Sequence, residues 1–375
     1  MYYILKYLPK KKLTQLMVIG FCLYFLLLFK YWTELPISWR KIFKPLLQKS
    51  DSCQEKTHER FLNLSKIDLK LNYENSSNYK GPIVKGWPPT ASRVIENYVP
   101  KQINTFITSP TNIDLTKTEL LIIIKTRVYA FKNRWKIRES WAKVLAKLSP
   151  YSAIVFIAGE GSSEKLGNET KTHGDILQGN FMDSYHNLTL KLISALKFAS
   201  ETIKWINEPK IIVVMDDDVF VNVPLLLKRI NDLNKKCEGP YLLGHLYTNS
   251  RVEHDPPTYQ FSSKWGVPSY MLTADVYPHY LHGLFTIMSF ESSRCLLKES
   301  FQLPYFHIDD VFITGYCAIR CGIMPTQFNG IMNGHVELNA FNPGYHIAFP
   351  ANQYNSEMYK KVLSYYNITD HSAKV

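Results

Sequence analysis

Short apolar runs alternate with amphipathic stretches over the last two thirds of the chain. Three runs have the length and composition of buried strands: Leu120–Ile124, Tyr151–Ala158 and Ile211–Met215. Apolar residues recur at helical spacing in three further stretches: Phe131–Leu145, Leu188–Ile203 and Leu225–Leu233. Because alternating strands and helices pack as a parallel sheet covered by helices, the pattern predicts an α/β fold with a mostly parallel central sheet and flanking helices. Ligands of such folds bind at the carboxyl ends of the strands.

An uncharged apolar run, Leu13–Phe29, lies near the N-terminus. Its length is at the lower end of the roughly 17–25 residues that a helix needs to cross a bilayer. Tyr31 and Trp32 follow it, where interfacial aromatic residues are usual. We therefore interpret residues 13–32 as an uncleaved transmembrane signal-anchor and residues 1–12 as a cytosolic tail. A cleaved signal peptide is the alternative, but no small-residue cleavage site follows the run. A buried core helix is disfavoured because the run is apolar all round.

Five N-glycosylation sequons lie beyond this run, at Asn63, Asn75, Asn168, Asn187 and Asn367. Basic residues flank the apolar run on both sides, so charge does not set its orientation. The five sequons together favour a lumenal C-terminal portion and hence a type II membrane protein of the secretory pathway.

Between the predicted anchor and the first strand, residues 33–115 are irregular, with scattered Pro, Asn and Ser and several turn signals. This composition predicts a lumenal stem that packs partly on the folded domain near Val94–Ile107. We expect residues 116–375 to form the folded domain.

The chain carries a formal net charge of +12 over 375 residues. Such a charge is typical of proteins that bind nucleic acid or an anionic surface. Here, however, the basic residues are spread along the chain, and no zinc-finger spacing or RNP-like motif is present. We therefore exclude nucleic acid as a partner.

Of the six cysteines, Cys22 lies in the predicted anchor and five lie on its lumenal side, where disulfides form. The odd number leaves one thiol free or available to a second chain, so a homodimer stays open. Cys317 and Cys321 lack the second pair of ligands that a zinc site needs, and their spacing fits packing on one helix.

Three consecutive aspartates, Asp216, Asp217 and Asp218, directly follow the apolar run that ends at Met215. Strand alternation sends the first and third to the same side. Two carboxylates so close repel each other unless a cation joins them or one is protonated. Oxygen ligands suit Mg²⁺ or Mn²⁺, which are commonly shared with substrate phosphates. The pattern favours a metal–diphosphate site, whereas a turn or helix cap explains one aspartate better than three.

A second acidic pair, Asp309 and Asp310, precedes the helical-looking stretch Val311–Gly315. By spacing alone, a helix N-cap at Asp309 is the simpler interpretation. A catalytic carboxylate is the alternative.

Several short blocks follow one another between Leu120 and Tyr359. They are Arg134-x-x-Ile137-Arg138-Glu139-Ser140-Trp141, Gly174-Asp175-Ile176-Leu177, Asp183-Ser184-Tyr185, Asn187–Lys191, Asp216–Asn222, Lys264-Trp265-x-Val267-Pro268, Tyr277-Pro278-x-Tyr280 and Asp309-Asp310-Val311. In this order they are similar to the inverting β1,3-glycosyltransferase family, which includes β1,3-galactosyltransferases and β1,3-N-acetylglucosaminyltransferases. The resemblance implies a GT-A fold, a type II Golgi membrane enzyme, a UDP-sugar donor, and Mn²⁺ or Mg²⁺ as cofactor.

The resemblance also implies roles for individual residues. Asp216 and Asp218 match the family's metal-binding pair, with Asp218 as the direct ligand, and Asp310 matches the catalytic base. His346 is similar to a second metal ligand, with His335 and a purely structural histidine as alternatives.

The resemblance also implies residues that bind the sugar donor and residues that bind the acceptor. The donor side comprises Arg134, Arg138, Asp216, Asp217 and Asp309. The acceptor side comprises Lys264, Trp265 and Tyr280. A position on the helix surface is the alternative for both arginines.

The sequence departs from the family in two places. A cysteine and a run of glycines usually follow the Tyr280 block, but Leu281-His282-Gly283-Leu284-Phe285 stands here. Asp309 also replaces the family's glutamate. Both departures leave the sugar and acceptor specificity open.

The resemblance predicts transfer of galactose from UDP-galactose, in β1,3 linkage, to a glycan on protein or lipid. Asp310 would deprotonate the acceptor hydroxyl in a single inverting displacement. UDP-N-acetylglucosamine is the alternative donor. An alternative of another class is a catalytically inactive lumenal glycan-binding or scaffold protein. A metal-dependent phosphohydrolase is disfavoured because it would need more His and Asp ligands.

Overall fold

The computed structural model describes residues 69–72, 78–102, 106–114, 116–161, 164–202, 204–237, 239–254, 264–351 and 356–368. All of them belong to one compact unit, Cys53–Val375. The predicted tail, the anchor, the first half of the stem and the sequons at Asn63 and Asn75 lie outside the described residues. In the described part of the chain, no helix is long and apolar enough to cross a membrane.

Eleven strands form the sheets of this part of the chain. They are β1 (Leu120–Lys125), β2 (Ser152–Glu160), β3 (Ile176–Met182), β4 (Ile211–Asp216), β5 (Val219–Val221), β6 (Leu242–Gly244), β7 (Leu246–Tyr247), β8 (Tyr280–Leu281), β9 (Phe285–Ser289), β10 (Pro325–Gln327) and β11 (Ala348–Pro350).

The central sheet has seven strands in the order β10-β6-β9-β4-β1-β2-β3. Strand β9 runs antiparallel to β4 and β6, and the other neighbours pair in parallel. The prediction of a mostly parallel central sheet is confirmed. The carboxyl ends of β1, β3, β4 and β6 therefore meet at one edge of the sheet.

Both faces of the sheet are buried, as the apolar run of β1 predicts. Leu121 and Ile123 belong to the hydrophobic cluster on one face, whereas Leu120, Ile122 and Ile124 belong to the cluster on the other. Because successive side chains of a strand point to opposite faces, a fully apolar strand fits a sheet covered on both sides.

Eight α-helices lie in the described residues. They are α1 (Phe131–Glu139), α2 (Trp141–Leu148), α3 (Glu164–His173), α4 (Leu188–Lys197), α5 (Val223–Lys236), α6 (Phe290–Ser300), α7 (Ala318–Arg320) and α8 (Ser356–Tyr365). Short 3₁₀ turns occur at Ile95–Asn97 and Tyr185–Asn187, and π-helical segments at Phe198–Thr202 and Val311–Cys317.

Two of the predicted helices differ from the observed ones. The stretch Phe131–Leu145 is divided at Ser140, whose backbone angles of φ −122° and ψ −113° are not helical. The next predicted helix changes from α to π hydrogen bonding at Phe198. Apolar periodicity is similar on either side of such breaks, so it does not reveal them.

Part of the predicted stem belongs to the core of the domain. Leu71, Trp87 and Ile95 are buried in the same hydrophobic cluster as the sheet. The indole of Trp87 stacks on Tyr305 with a centroid distance of 3.5 Å and an interplanar angle of 11°. Packing of the domain therefore extends upstream of residue 116, as expected near Val94 and further than expected towards Leu71.

The cysteines also have defined places. Cys295 at helix α6 forms a disulfide with Cys321, so Cys321 is cross-linked rather than simply packed beside Cys317. Cys237 is disulfide-bonded as well. Cys317 is a free, fully buried thiol. Its burial removes it as a link to a second chain.

Candidate active site

The neighbouring strands β1 and β4 end on residues of opposite charge. Lys125 closes β1 and Asp216 closes β4, and the two residues are partners in the parallel register. Nζ of Lys125 lies 3.1 Å from Oδ1 of Asp216 and 2.8 Å from Oδ2 of Asp309. Although burial opposes the charge, these carboxylates raise the pKa of Lys125 above its ordinary value. The ammonium therefore stays charged and joins the two acidic segments.

Asp310 is held by two backbone N–H groups. Val311 N donates to its Oδ1 at 2.8 Å, and Gly283 N donates to its Oδ2 at 3.1 Å. Burial, followed by the charge of Asp309, raises the pKa of Asp310 to about 7. A carboxyl group with a pKa near neutrality can exchange a proton under physiological conditions.

The capping role at this acidic pair lies one residue later than the sequence suggests. Asp310 accepts the bond from Val311 N at the start of the π-helical segment, whereas Asp309 binds Lys125. The expectation that Asp309 is the N-cap is therefore wrong. Sequence spacing cannot reveal the buried lysine that takes the carboxylate away from the helix end.

Gly283 is needed for this geometry. A Cβ at that position would lie 3.3 Å from Cβ of Asp310 and 3.4 Å from Nζ of Lys125. Contacts this short would push the carboxylate or the ammonium away. The one glycine that this sequence keeps from the family's glycine run is thus the residue lying against Asp310.

The three consecutive aspartates form the turn between β4 and β5, and they face different surroundings. Asp217 accepts hydrogen bonds from Thr126 Oγ1 at 2.5 Å and from Asn133 Nδ2 at 3.0 Å. Asp218 is exposed, and no side-chain donor in the described part of the chain bonds to its carboxylate. The first two aspartates are tied to the protein, and the third is open to a ligand.

A cleft of about 510 Å³ opens beside this turn. It is lined by Lys125, Thr126, Arg127, Asp183, Ser184, Tyr185, Leu188, Lys191, Asp216, Asp217, Asp218 and Lys264. Its volume is within the range of small-molecule sites in proteins. The carboxyl ends of β1, β3 and β4 all contribute, as expected for a ligand site of a parallel sheet.

Sequence reasoning missed two of the cations that line this cleft. Lys191 is buried, and its Nζ donates to Asp183 Oδ1 at 2.7 Å and to the Thr126 carbonyl oxygen at 2.6 Å. Lys125 was missed as well. The sequence carries a signal for each of them. Lys125 directly follows the apolar run of β1, as Asp216 follows that of β4. Lys191 is a charged residue on the apolar side of helix α4.

The two arginines predicted on the donor side are bound to carboxylates of the protein. Arg134 is fully buried and donates to Glu169 Oε1 and Oε2 at 2.9 and 2.7 Å. Arg138 donates to Glu169 at 2.6 Å and to both oxygens of Asp175 at 2.8 Å. Neither lines the cleft. A buried ion network takes up both guanidinium groups, and Arg134 also donates to Thr126 Oγ1 and to the Arg127 carbonyl oxygen, two groups of residues that line the cleft. Their role on the donor side stays a prediction.

His346 and its alternative His335 lie at opposite ends of the ribbon formed by β5 and β11. The His346 carbonyl oxygen accepts a bond from Asn222 Nδ2 at 3.0 Å, at the end of β5 that is remote from Asp218. His335 has its Nδ1 3.3 Å from the carbonyl oxygen of Pro350, which pairs with the residue following Asp218. Of the two histidines, His335 is the one placed near Asp218.

The residues predicted on the acceptor side separate into two groups. Nζ of Lys264 lies 4.3 Å from the ring centroid of Tyr185 and 5.1 Å from that of Trp265, at the mouth of the cleft. Tyr280 lies on β8 instead, where its ring stacks on Tyr247. Tyr280 thus contacts a different set of rings from Lys264 and Trp265.

The three sequons in the described residues differ in accessibility. Asn168 on α3 and Asn367 after α8 are exposed. Asn187 accepts a hydrogen bond from Trp87 Nε1 at 2.9 Å, and Thr189 of the same sequon is fully buried. Asn187 thus has a structural role that a glycan would disturb.

A metal site complete in protein ligands is not found. Within the described ranges, no group of three or more His, Cys, Asp or Glu side chains could hold a metal ion. Mg²⁺ commonly binds one or two carboxylates, with substrate phosphates supplying further oxygens. The exposed carboxylate of Asp218 and the second oxygen of Asp216 fit that mode of binding.

Comparison with known proteins places the chain in a family. The family model described as Galactosyltransferase matches residues 132–329. A mouse lactosylceramide 1,3-N-acetyl-beta-D-glucosaminyltransferase is 30% identical over 217 residues, which are 55% of this chain and 55% of that protein. This chain thus spans little more than half the length of that relative. A beta-1,3-galactosyltransferase of Drosophila melanogaster is 28% identical over 284 residues, which are 74% of this chain and 80% of that protein.

A solved structure with some similarity is a glycosyltransferase involved in the glycosylation of the major capsid of PBCV-1. The two sequences are 9% identical, and the superposition covers 65% of this chain and 98% of the other. The TM-score of 0.32 is too low to support a conclusion about the fold. The family model, in contrast, matches more than half of the chain. The chain therefore belongs to the galactosyltransferase family, and it is a glycosyltransferase.

Proposed function

We propose that the chain transfers galactose from UDP-galactose to a glycan hydroxyl in β1,3 linkage, with inversion at the anomeric carbon. The observation that carries this proposal is the position of Asp310. Its carboxyl group, with a pKa of about 7, lies at the same sheet edge as the turn of Asp216–Asp218. Both curated relatives compared above carry names of β1,3- or 1,3-linking sugar transferases, which supports the linkage.

A GT-A fold is part of this proposal. The mostly parallel sheet, with an acidic turn after its central strand β4, is what such a fold requires. The cleft beside that turn would hold the UDP part of the donor, because Arg127 and Lys264 are exposed cations in its lining and would offset the diphosphate charge.

Mn²⁺ or Mg²⁺ is the proposed cofactor, held by Asp218 with Asp216. When bound, the ion would neutralise charge that develops on the leaving diphosphate. Asp217 is not proposed as a direct ligand, because hydrogen bonds from Thr126 and Asn133 hold its carboxylate against the protein, whereas the carboxylate of Asp218 is exposed.

Asp310 would act as the general base. Gly283 N and Val311 N fix its two oxygens, and each oxygen keeps a lone pair for the acceptor hydroxyl. The acceptor oxygen attacks the anomeric carbon as the bond to UDP breaks, and its proton passes to Asp310. One displacement of this kind converts an α-linked donor into a β-glycoside.

N-acetylglucosamine is the second candidate for the transferred sugar, because one of the two relatives is named for it. The test is a donor panel on the purified chain with Mn²⁺, acceptor glycosides, and analysis of the product linkage. Transfer from UDP-galactose alone supports the proposal, and transfer from UDP-N-acetylglucosamine alone selects the second candidate. UDP release from neither donor would favour the inactive glycan-binding alternative.

We also propose that the protein is a single-pass type II protein of the Golgi membrane with its catalytic domain in the lumen. The uncharged run Leu13–Phe29 and the exposed sequons at Asn168 and Asn367 support this topology. Glycosidase-sensitive mass at these two asparagines, together with an intact N-terminus in the mature protein, is the expected result. A mature chain that begins beyond Trp32 would contradict it.

A further inference from the structure

Four partly exposed rings cluster on the β6 side of the sheet edge. They belong to His245, Tyr247, Tyr280 and His282. Tyr247 and Tyr280 stack with a centroid distance of 5.2 Å and an interplanar angle of 23°, and the His282 ring lies 5.7 Å from Tyr247. None of the four lines the cleft beside Asp218. The cluster is thus a separate feature of the same edge.

The hydrogen bond at Nδ1 of His282 fixes which nitrogen carries its proton. Leu284 N donates to this Nδ1 at 3.3 Å, so Nδ1 is unprotonated and a neutral ring carries its hydrogen on Nε2. Burial, followed by the charges of Lys125 and His245, lowers the pKa of His282 to about 4. The ring is therefore neutral under physiological conditions. Nε2–H has no hydrogen-bond partner in the described part of the chain, and it is not buried.

The residue after His282 contacts the proposed base. Gly283, the residue after His282, donates its N–H to Oδ2 of Asp310 at 3.1 Å. An acceptor hydroxyl that gives its proton to Asp310 must come within hydrogen-bonding distance of that carboxylate. With UDP in the cleft, the acceptor's sugar ring would lie on the remaining side, over the ring cluster.

The cluster has the chemistry that a sugar needs. A pyranose presents C–H groups on its face and hydroxyls at its edge, so an aromatic surface with a few placed polar groups suits it. Tyr247 and Tyr280 supply the surface. Nδ1 of His245 faces the Ile331 carbonyl oxygen at 3.3 Å, which leaves its Nε2 as an acceptor, whereas His282 offers a donor. A sugar hydroxyl can use both, since it donates and accepts.

We propose that His282 determines acceptor specificity, with its Nε2–H donating a hydrogen bond to a hydroxyl of an acceptor sugar that lies on the Tyr247–Tyr280 stack. This inference rests on the proposed function. It assigns a role to one of the positions at which the sequence departs from its family.

The test compares two substitutions at His282 with a matched control. His282→Phe keeps an aromatic ring against Tyr247 but removes the donor, whereas His282→Gln keeps an N–H at similar reach. His279→Ala is the control, because His279 is an exposed histidine three residues earlier. Binding of p-nitrophenyl β-galactoside and p-nitrophenyl β-N-acetylglucosaminide is measured by calorimetry on the full chain with UDP and Mn²⁺. Melting temperatures verify folding.

We expect His282→Phe to weaken glycoside binding about three- to tenfold, the usual effect of one lost neutral hydrogen bond. His282→Gln should recover most of the affinity, and His279→Ala should match wild type. Binding of UDP with Mn²⁺ should be equal in all four proteins. Unchanged glycoside binding in His282→Phe, or no glycoside binding by the wild-type chain, would overturn the acceptor subsite. Absence of UDP binding would instead overturn the proposed function.

Discussion

Nζ of Lys125 lies 2.8 Å from Oδ2 of Asp309, although 184 residues separate the two in the chain. The same ammonium lies 3.1 Å from Asp216, so it connects the end of β1, the end of β4 and the segment that carries Asp310. An ammonium at this place allows the three carboxylates of Asp216, Asp309 and Asp310 to approach one another. The ion pairs of Lys125 therefore connect the stability of the sheet edge with the position of the proposed base, Asp310.

Lys125→Met tests this link. Removing one partner of a buried ion pair typically costs about 3–5 kcal/mol. We expect a loss near the lower end of that range in the free energy of unfolding, because the side chain of Asp216 is 37% exposed. Urea denaturation measures it. Lys143→Met is the control: it removes an exposed pair with Glu139 and should cost less than about 1 kcal/mol. Equal losses in both variants would show that the buried pairs do not hold the edge together.

Asp218→Asn tests the metal assignment. Asn keeps the shape of the side chain but removes the charge that attracts a divalent cation. Because no described residue bonds to this carboxylate, we expect an unchanged melting temperature. UDP binding should lose its dependence on Mn²⁺, as calorimetry would show, and turnover should disappear.

Asp217→Asn is the matched comparison for that variant. Its carboxylate accepts bonds from Thr126 and Asn133, so the substitution should lower the melting temperature. The Mn²⁺ dependence of UDP binding should remain. If the two variants exchanged these results, Asp217 rather than Asp218 would be the metal ligand.

Arg134→Lys tests whether this arginine is structural. Lysine cannot reproduce the two-pronged bond to Glu169, and each lost bond to a charged group costs about 1.5–3 kcal/mol. We expect a clear fall in unfolding free energy and an unchanged KM for the UDP-sugar. Lys132→Met, an exposed cation on the same helix, is the control. A raised KM without loss of stability would restore Arg134 to the donor side.

The positions of three central strands could be predicted because their signal is local. Leu120–Ile124 and Ile211–Met215 are apolar runs that need burial on both faces, and both are strands of the sheet. The antiparallel strand β9 gives a similar run, but its direction depends on the β8–β9 turn. That turn is shaped by Gly283 lying against Asp310, a contact between residues 27 positions apart.

The site could be predicted only in part, for a related reason. The acidic residues were recognisable from their position after an apolar strand. The partners that decide which carboxylate is available are distant in sequence: Thr126 for Asp217, and Lys125 for Asp309. Arg134 is a further example, because Glu169, which binds its guanidinium group, is 35 positions away in the chain.

Asp310→Asn tests the base directly. Asn can still accept the bond from Val311 N, but its NH2 group would replace the oxygen that accepts from Gly283 N. The fold should therefore be kept with a lower melting temperature. Loss of a general base typically lowers the rate by about 10²–10⁴. We expect kcat to fall at least a hundredfold while UDP binding with Mn²⁺ is unchanged. A kcat within about threefold of wild type would leave only the capping role.

The raised pKa of Asp310 also makes a prediction about stability. Its ordinary value is 3.8, and the folded protein raises the pKa to about 7. Between these values the folded state binds more protons than the unfolded state, so this group's contribution to stability falls as pH rises. In Asp310→Asn the side chain does not ionise, so this fall in stability with rising pH is absent. The difference in melting temperature, variant minus wild type, should therefore increase between pH 5 and pH 8, and a constant difference would argue against the raised pKa.

Asp309→Asn separates the roles of the two neighbouring carboxylates. The charge of Asp309 contributes to the raised pKa of Asp310, so its removal should lower that pKa. In wild type, kcat/KM should rise with pH through about 7, because only the ionised carboxylate can accept the proton. In Asp309→Asn the same rise should occur at lower pH. The substitution also weakens the bond to Lys125, so stability should fall more than for a change at a simple helix cap. A pH profile that coincides with that of wild type, together with unchanged stability, would mean that Asp309 influences neither the base nor the sheet edge.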